Sequence, residues 1–156
     1  VIDPFVGVNR KTACEAGEAP LWTAAAMQAL SRPLTAVYNI GFASTPPEVN
    51  SIRKGLHQDP TLSRLAPALV LWAEVFWVEA GDKVRLRITG PNGVSVIDYS
   101  NVLPKRQARR TISAGRKKPG PFWPAGTYHG EIVVERRHTS GKTRRFTARR
   151  AVKLKN

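Results

Sequence analysis

Near Pro67 the hydrophobic pattern of this chain settles into a period of two and holds it almost to the last residue. Helices repeat every ~3.6 residues and strands every two, so this half of the chain can bury its apolar positions only as strands. Ala68 to Val78 is almost wholly apolar, broken by Glu74, and holds Trp72, Phe76, Trp77 and three valines. Such a run reads as a strand buried on both faces. Ala80-Gly81-Asp82 turns the chain, and Val84, Leu86 and Ile88 then alternate with Lys83, Arg85 and Arg87, the pattern of a strand with one wet face. Pro91-Asn92-Gly93 is a hairpin turn and Val94 to Tyr99 returns. Residues 104–114 form a basic, weakly apolar strand, and Arg116 to Pro124 a loop with three prolines and Trp123. In Thr127 to Arg137, Tyr128, Ile132 and Val134 share one phase. After the Ser140-Gly141 turn, Phe146, Ala148, Val152 and Leu154 line the last strand. Turns every ~8–12 residues imply a mostly β chain, an immunoglobulin-like antiparallel β-sandwich with a short N-terminal helical segment. Trp72, Trp77, Trp123 and Tyr128 are then core or sandwich-edge residues rather than ligand platforms.

Upstream the pattern differs. Residues 1–20 carry Pro4, Gly7, Gly17 and Pro20 without a steady period and read as a connecting segment. Thr23 is placed to cap a helix from Ala24 to about Ser31, stopped by Pro33. Leu34 to Phe42 reads as extended chain or a strand. Thr45-Pro46-Pro47-Glu48 has the form of a capping box with proline at the first helical position. Val49, Ile52 and Leu56 follow on one apolar face, and Gly55 and Pro60 end the helix. The division expected is a connecting segment over 1–20, a helical prefix over 21–60 and a sandwich over 65–156. The two helices would pack on the sandwich and cover the outer face of the Ala68–Val78 strand.

Charge narrows the choice of partner. The 156 residues include 25 Lys and Arg against 11 Asp and Glu, a net charge of +14. Residues 1–80 hold six basic and seven acidic side chains, whereas residues 81–156 hold nineteen and four. The sandwich half therefore carries the whole positive field, which attracts nucleic acid, acidic lipid or acidic cell-wall polymer. A merely solubilising surface would have the same composition. No apolar run reaches the ~18 residues of a transmembrane helix. Cys14 is the only cysteine, so no internal disulfide forms, and a four-cysteine or two-cysteine, two-histidine zinc site is excluded.

Catalytic patterns are scarce. His57, His129 and His138 lie too far apart in sequence for a local metal pair. His129 and Glu131 share a strand face and form the one acid–base candidate, although solvated same-face contacts are commoner. Cys14 is a candidate nucleophile or a spare thiol. Glu74, inside an apolar strand, calls for a buried partner such as an arginine. Phosphate-loop, G-x-S-x-G and G-x-G-x-x-G motifs are absent. The basic pairs are more promising: Arg85, Arg87, Arg145 and Arg149 fall in outward phases and can form a stripe across one sheet. Arg109 belongs with them as a basic-surface candidate.

Several segments carry a family resemblance. Val1-Ile2-Asp3-Pro4-Phe5 resembles the end of the catalytic domain of lysostaphin/LytM-type zinc endopeptidases. An ordered set resembles the C-terminal extension of a proteobacterial subgroup: Cys14, Pro20-Leu21-Trp22, Asn39 to Ala43, Leu71 to Phe76, Leu86 to Pro91, and Trp123 to Glu131. The resemblance implies a parent enzyme that cleaves peptide crosslinks of peptidoglycan in the periplasm or cell envelope. The zinc-binding histidine and aspartate pattern of that family is missing, so no catalytic or metal ligand carries over. Zinc would reside in a catalytic domain outside this chain, which would itself be a non-catalytic accessory domain and hold no cofactor. Its partners would be that catalytic domain and anionic envelope polymer. Cys14 could pair with a cysteine of the parent in an oxidising periplasm. A nucleic-acid-binding module using the basic sheet is the alternative, and a free-standing enzyme using Cys14, His129 or Glu131 a third.

Overall fold

The computed structural model describes residues 21–30, 35–137 and 141–156, so Cys14 and His138 lie outside the described residues. Its elements are α1 (Ala24–Leu30), β1 (Ala36–Ala43), α2 (Val49–Arg53), β2 (Thr61–Ser63), β3 (Ala68–Val78), β4 (Lys83–Thr89), β5 (Ser95–Val102), β6 (Gln107–Lys117), β7 (Gly126–Arg137) and β8 (Thr143–Lys155). α1 falls in an N-terminal unit that ends at Pro33, and everything from Leu34 onward forms a second unit. In α1 the Ala26 backbone N–H donates to Thr23 Oγ1 at 3.2 Å, the cap that Thr23 predicted.

The second unit is a β-sandwich. One sheet has the order β1-β3-β6, the other β2-β8-β7-β4-β5. All pairs are antiparallel except β2 with β8. This is the immunoglobulin arrangement, with β1, β3 and β6 in the places of strands A, B and E, and β8, β7, β4 and β5 in those of G, F, C and C′. Tyr128, near the start of β7, donates its hydroxyl to the Pro124 carbonyl at 3.0 Å. That contact is the tyrosine corner of such sandwiches, and burial pushes the phenol pKa above its ordinary value. β1 is an edge strand, so the sandwich begins well before residue 65. β2, only three residues long, has no sequence signal.

The core forms where the inward phases meet. Leu69, Leu71, Ala73 and Val75 of β3 face Val84, Leu86 and Ile88 of β4, Ile132 and Val134 of β7, and Val152 and Leu154 of β8. Gly130 lets the sheets approach: a Cβ there would stand 2.5 Å from Leu71 Cδ1 and 2.8 Å from Phe42 Cζ. The outer face of β3 is buried too at Val70, Trp72 and Glu74, as its composition predicted, while Phe76 near its end is exposed. Trp72 is fully covered there and clusters with Ala43 and with Ile52 of α2.

Two local expectations change. α2 starts at Val49 with Glu48 as its cap residue and no side-chain capping bond, so the Thr45–Glu48 capping box does not form. Pro46 is itself followed by proline, which disfavours the helical region at Pro46 and prevents a helix from starting there. Among the described residues, buried Glu74 meets no arginine: its Oε2 accepts from Asn39 Nδ2 at 3.4 Å, and Oε1 has no partner. Burial raises the pKa of the Tyr38 phenol, and the nearby Glu74 carboxylate adds to the effect.

Candidate functional site on the outer face of the large sheet

Strand alternation and register build this face row by row. In β4 the inward Val84, Leu86 and Ile88 force Lys83, Arg85 and Arg87 outward. Register places Arg87 between Asp98 of β5 and Glu131 of β7, and Glu131 opposite Arg149 of β8. One row away, Arg85 lies between Ser100 and Val133; beyond it Lys83 faces Glu135, which faces Arg145. Four of the five arginines singled out from the sequence thus share one surface. They line a shallow trough of about 340 Å³ together with Lys83, Glu131, Val133, Glu135 and Thr147.

The trough is laced with ion pairs rather than uniformly cationic. Arg149 Nε donates to Glu131 Oε1 at 2.7 Å, and Arg145 Nε to Glu135 Oε1 at 2.8 Å. Arg85 grips both oxygens of Asp98, with Nε 2.6 Å from Oδ1, and Arg87 Nη2 reaches Oδ2 at 3.3 Å. The Arg85 hydrogen bonds hold the Asp98 carboxyl down to about 2 and raise the Arg85 guanidinium in turn. Five cations meet three carboxylates, which leaves a modest positive excess. Arg145 and Arg149 engage only Nε and remain largely exposed, so their Nη donors are available to a ligand. The carboxylates Asp98, Glu131 and Glu135 were missed as members of the site. Period-two phase places Glu131 and Glu135 outward, but their arginine partners depend on cross-strand register.

Arg109 does not join this face, because β6 pairs with β3 in the other sheet, where Arg109 is opposite Phe76. Its guanidinium stacks on Phe76 and Tyr38, centroid distances 5.4 and 5.6 Å, over an aromatic pair 4.0 Å apart. The catalytic candidates are no better assembled. His129 and Glu131 do share the outer face, beside Thr89 and Arg87, but Glu131 is engaged by Arg149 and no hydrogen bond joins it to His129. A Ser51–His57 contact at 3.0 Å was invisible in the sequence. The Ser51 hydroxyl donates to the Glu48 carbonyl at 2.7 Å, so this contact braces a turn and leaves no proton for nucleophile activation. Among the described residues no three His, Cys, Asp or Glu side chains gather as a metal site. No described helix is long and apolar enough to cross a membrane.

The chain matches no known protein-family model and no curated protein.

Proposed function

We propose that this chain is a non-catalytic accessory module of a bacterial cell-wall metallopeptidase, working in the periplasm or envelope. Its large-sheet face binds an anionic envelope polymer, peptidoglycan first, or an acidic patch of the partner catalytic domain. The observation that carries this reading is the arginine–carboxylate lattice over an open trough. A polymer that mixes carboxylates with amides and hydroxyls can use both the free Nη donors and the carboxylate acceptors. The parent class comes from the ordered segments that resemble the extension of lysostaphin/LytM-type enzymes, and zinc belongs to that catalytic domain. The lattice weighs against nucleic acid, whose evenly spaced phosphates would be repelled by Glu131, Glu135 and Asp98.

Co-sedimentation with purified peptidoglycan tests the reading. The chain is expected to pellet with the polymer at about 0.05 M salt and to be released progressively towards about 0.5 M, as screening shortens the reach of its cations. No pelleting at low salt would refute it. Tighter binding to duplex or single-stranded DNA than to peptidoglycan at about 0.15 M salt would favour the nucleic-acid alternative.

A further inference from the structure

One end of the sandwich gathers the β2–β3 turn, the β6–β7 loop and the tail of β8. Hydrogen bonds stitch these segments together. The Trp123 N–H donates to the Arg64 carbonyl at 2.9 Å, and Arg64 Nε donates to the Trp123 carbonyl at 2.8 Å. The Lys118 N–H donates to the Pro67 carbonyl at 2.9 Å, and the Arg64 N–H to the Lys155 carbonyl at 3.1 Å. Pro119, Pro121 and Pro124 stiffen the loop further. A partner therefore meets a surface already ordered, which lowers the entropic cost of binding.

Large apolar side chains stand out from this tip. Leu65 is 66% exposed and Phe122 54%. Val94 of the β4–β5 turn, which shares a cavity wall with Pro119 and Pro124, is 64% exposed. Around them stand Arg64, Arg116, Lys117, Lys118, Lys153 and Lys155, and the segments 61–67, 116–126 and 151–156 contain no Asp or Glu. The nearest carboxylates along the chain, Asp59 and Glu131, lie behind the tip, ahead of β2 and midway along β7. Among the described residues none of the six cations is paired with a carboxylate side chain, unlike the arginines of the trough. Cation and apolar anchor also stand side by side: the Arg64 guanidinium lies 5.1 Å from the centroid of the Phe122 ring.

Exposed apolar groups gain little from a hydrated polymer or from phosphates in water, and six unpaired cations oppose a second copy of the same tip. The combination fits the surface of an anionic bilayer. Apolar side chains enter the acyl boundary, while Lys and Arg stay at the headgroup level on their long stems. We propose that this tip docks the chain onto a membrane that displays acidic phospholipid headgroups. The proposal uses no residue of the trough and is independent of the reading given to it.

Vesicle co-sedimentation of the whole chain tests it, at about 0.1 M salt, with phosphatidylcholine alone or with about 30% phosphatidylglycerol. The chain is expected to bind the anionic vesicles at least ten-fold more tightly than the neutral ones. Leu65→Ser with Phe122→Ser should lower that affinity at least ten-fold, and so should Lys117→Gln with Lys155→Gln. Arg145→Gln with Arg149→Gln, the same charge change in the trough, should lower it less than three-fold. Phe122→Trp, a stronger interfacial anchor, should tighten binding at least two-fold, a gain that misfolding cannot produce. The proposal is overturned by absence of binding to anionic vesicles, by equal losses from the two charge pairs, or by a Phe122→Trp variant that binds no more tightly than the parent chain. Self-association without vesicles that Leu65→Ser with Phe122→Ser abolishes would overturn it too, and would give the tip to a second copy of the chain.

Discussion

Asp82 is 1% exposed, yet it is fully satisfied. Its two oxygens accept Arg136 Nε at 2.8 Å and Nη2 at 2.7 Å, and Oδ2 also accepts the Glu79 backbone N–H at 2.8 Å. The hydrogen bonds to the aspartate raise the Arg136 pKa above its ordinary value. Removing one partner strands the other charge in the interior, which typically costs about 3–5 kcal/mol. Arg136→Met is expected to lose about that much stability, measured by the shift of the urea midpoint at constant slope. Only the geometry revealed this pair: of the neighbours Arg136 and Arg137, strand alternation sends one inward, but its partner lies 54 residues away. Asp98 behaves differently because it sits in the open. Its folded pKa of about 2 is below the ordinary value of 3.8, so its pairing with Arg85 stabilises the fold fully above about pH 4 and is lost as pH falls through 2. Asp98→Asn is therefore expected to lower the melting temperature at neutral pH and to shrink the difference between pH 5 and pH 2. An unchanged acid response would assign the acid limb to other carboxylates.

At the scale of elements, phase was legible and covering was only partly so. β3, β4, β7 and β8 lie close to where the alternation of Leu86, Ile132 and Val152 placed them, because one buried face fixes the phase of a whole strand. The end of β3 escaped that logic. Trp77 adopts a left-handed φ of 53°, and its carbonyl accepts from Thr35 Oγ1 at 2.7 Å and Arg136 Nη2 at 2.9 Å. This switch returns Val78 to the core beside Val75, three residues on instead of two, and its two supports lie on distant segments. The lid over Trp72 is another long-range solution, with Ile52 and the turn at His57 closing the outer face of β3. It fits only because Gly41 lacks a side chain: a Cβ there would be 2.4 Å from Trp72 Cζ2 and 2.7 Å from the His57 carbonyl oxygen. Gly41→Ala is expected to destabilise the sandwich by about 1–3 kcal/mol through overpacking. Because one of the two obstacles is the indole, Trp72→Phe should cost less in the Gly41→Ala background than alone. A double-mutant cycle with no coupling would mean that the His57 backbone alone sets the limit.

Across the whole molecule the charge is dispersed rather than gathered. Of the nineteen basic residues after position 80, Lys83, Arg85, Arg87, Arg145 and Arg149 reach the trough, while Arg106 and Arg109 lie over aromatic rings elsewhere. The candidate face was legible in the sequence as far as the arginine phases of β4 and β8. Its carboxylate partners and the separation of Arg109 were set by which strands became neighbours, information that no local window contains. This dispersion creates two ways to attract a polyanion. A net charge of +14 draws one in regardless of where the charges stand, whereas a site acts only through groups within bonding distance. Charge-matched variants separate them. Arg145→Gln with Arg149→Gln and Arg106→Gln with Arg109→Gln each remove two positive charges and so weaken the long-range field alike. If the trough is the binding surface, the first pair is expected to lower peptidoglycan affinity at least ten-fold at about 0.15 M salt, where the screening length is ~8 Å, and the second less than three-fold. Equal losses in co-sedimentation, or equal changes in salt dependence, would assign the attraction to the molecule's total charge and leave the trough without a specific role.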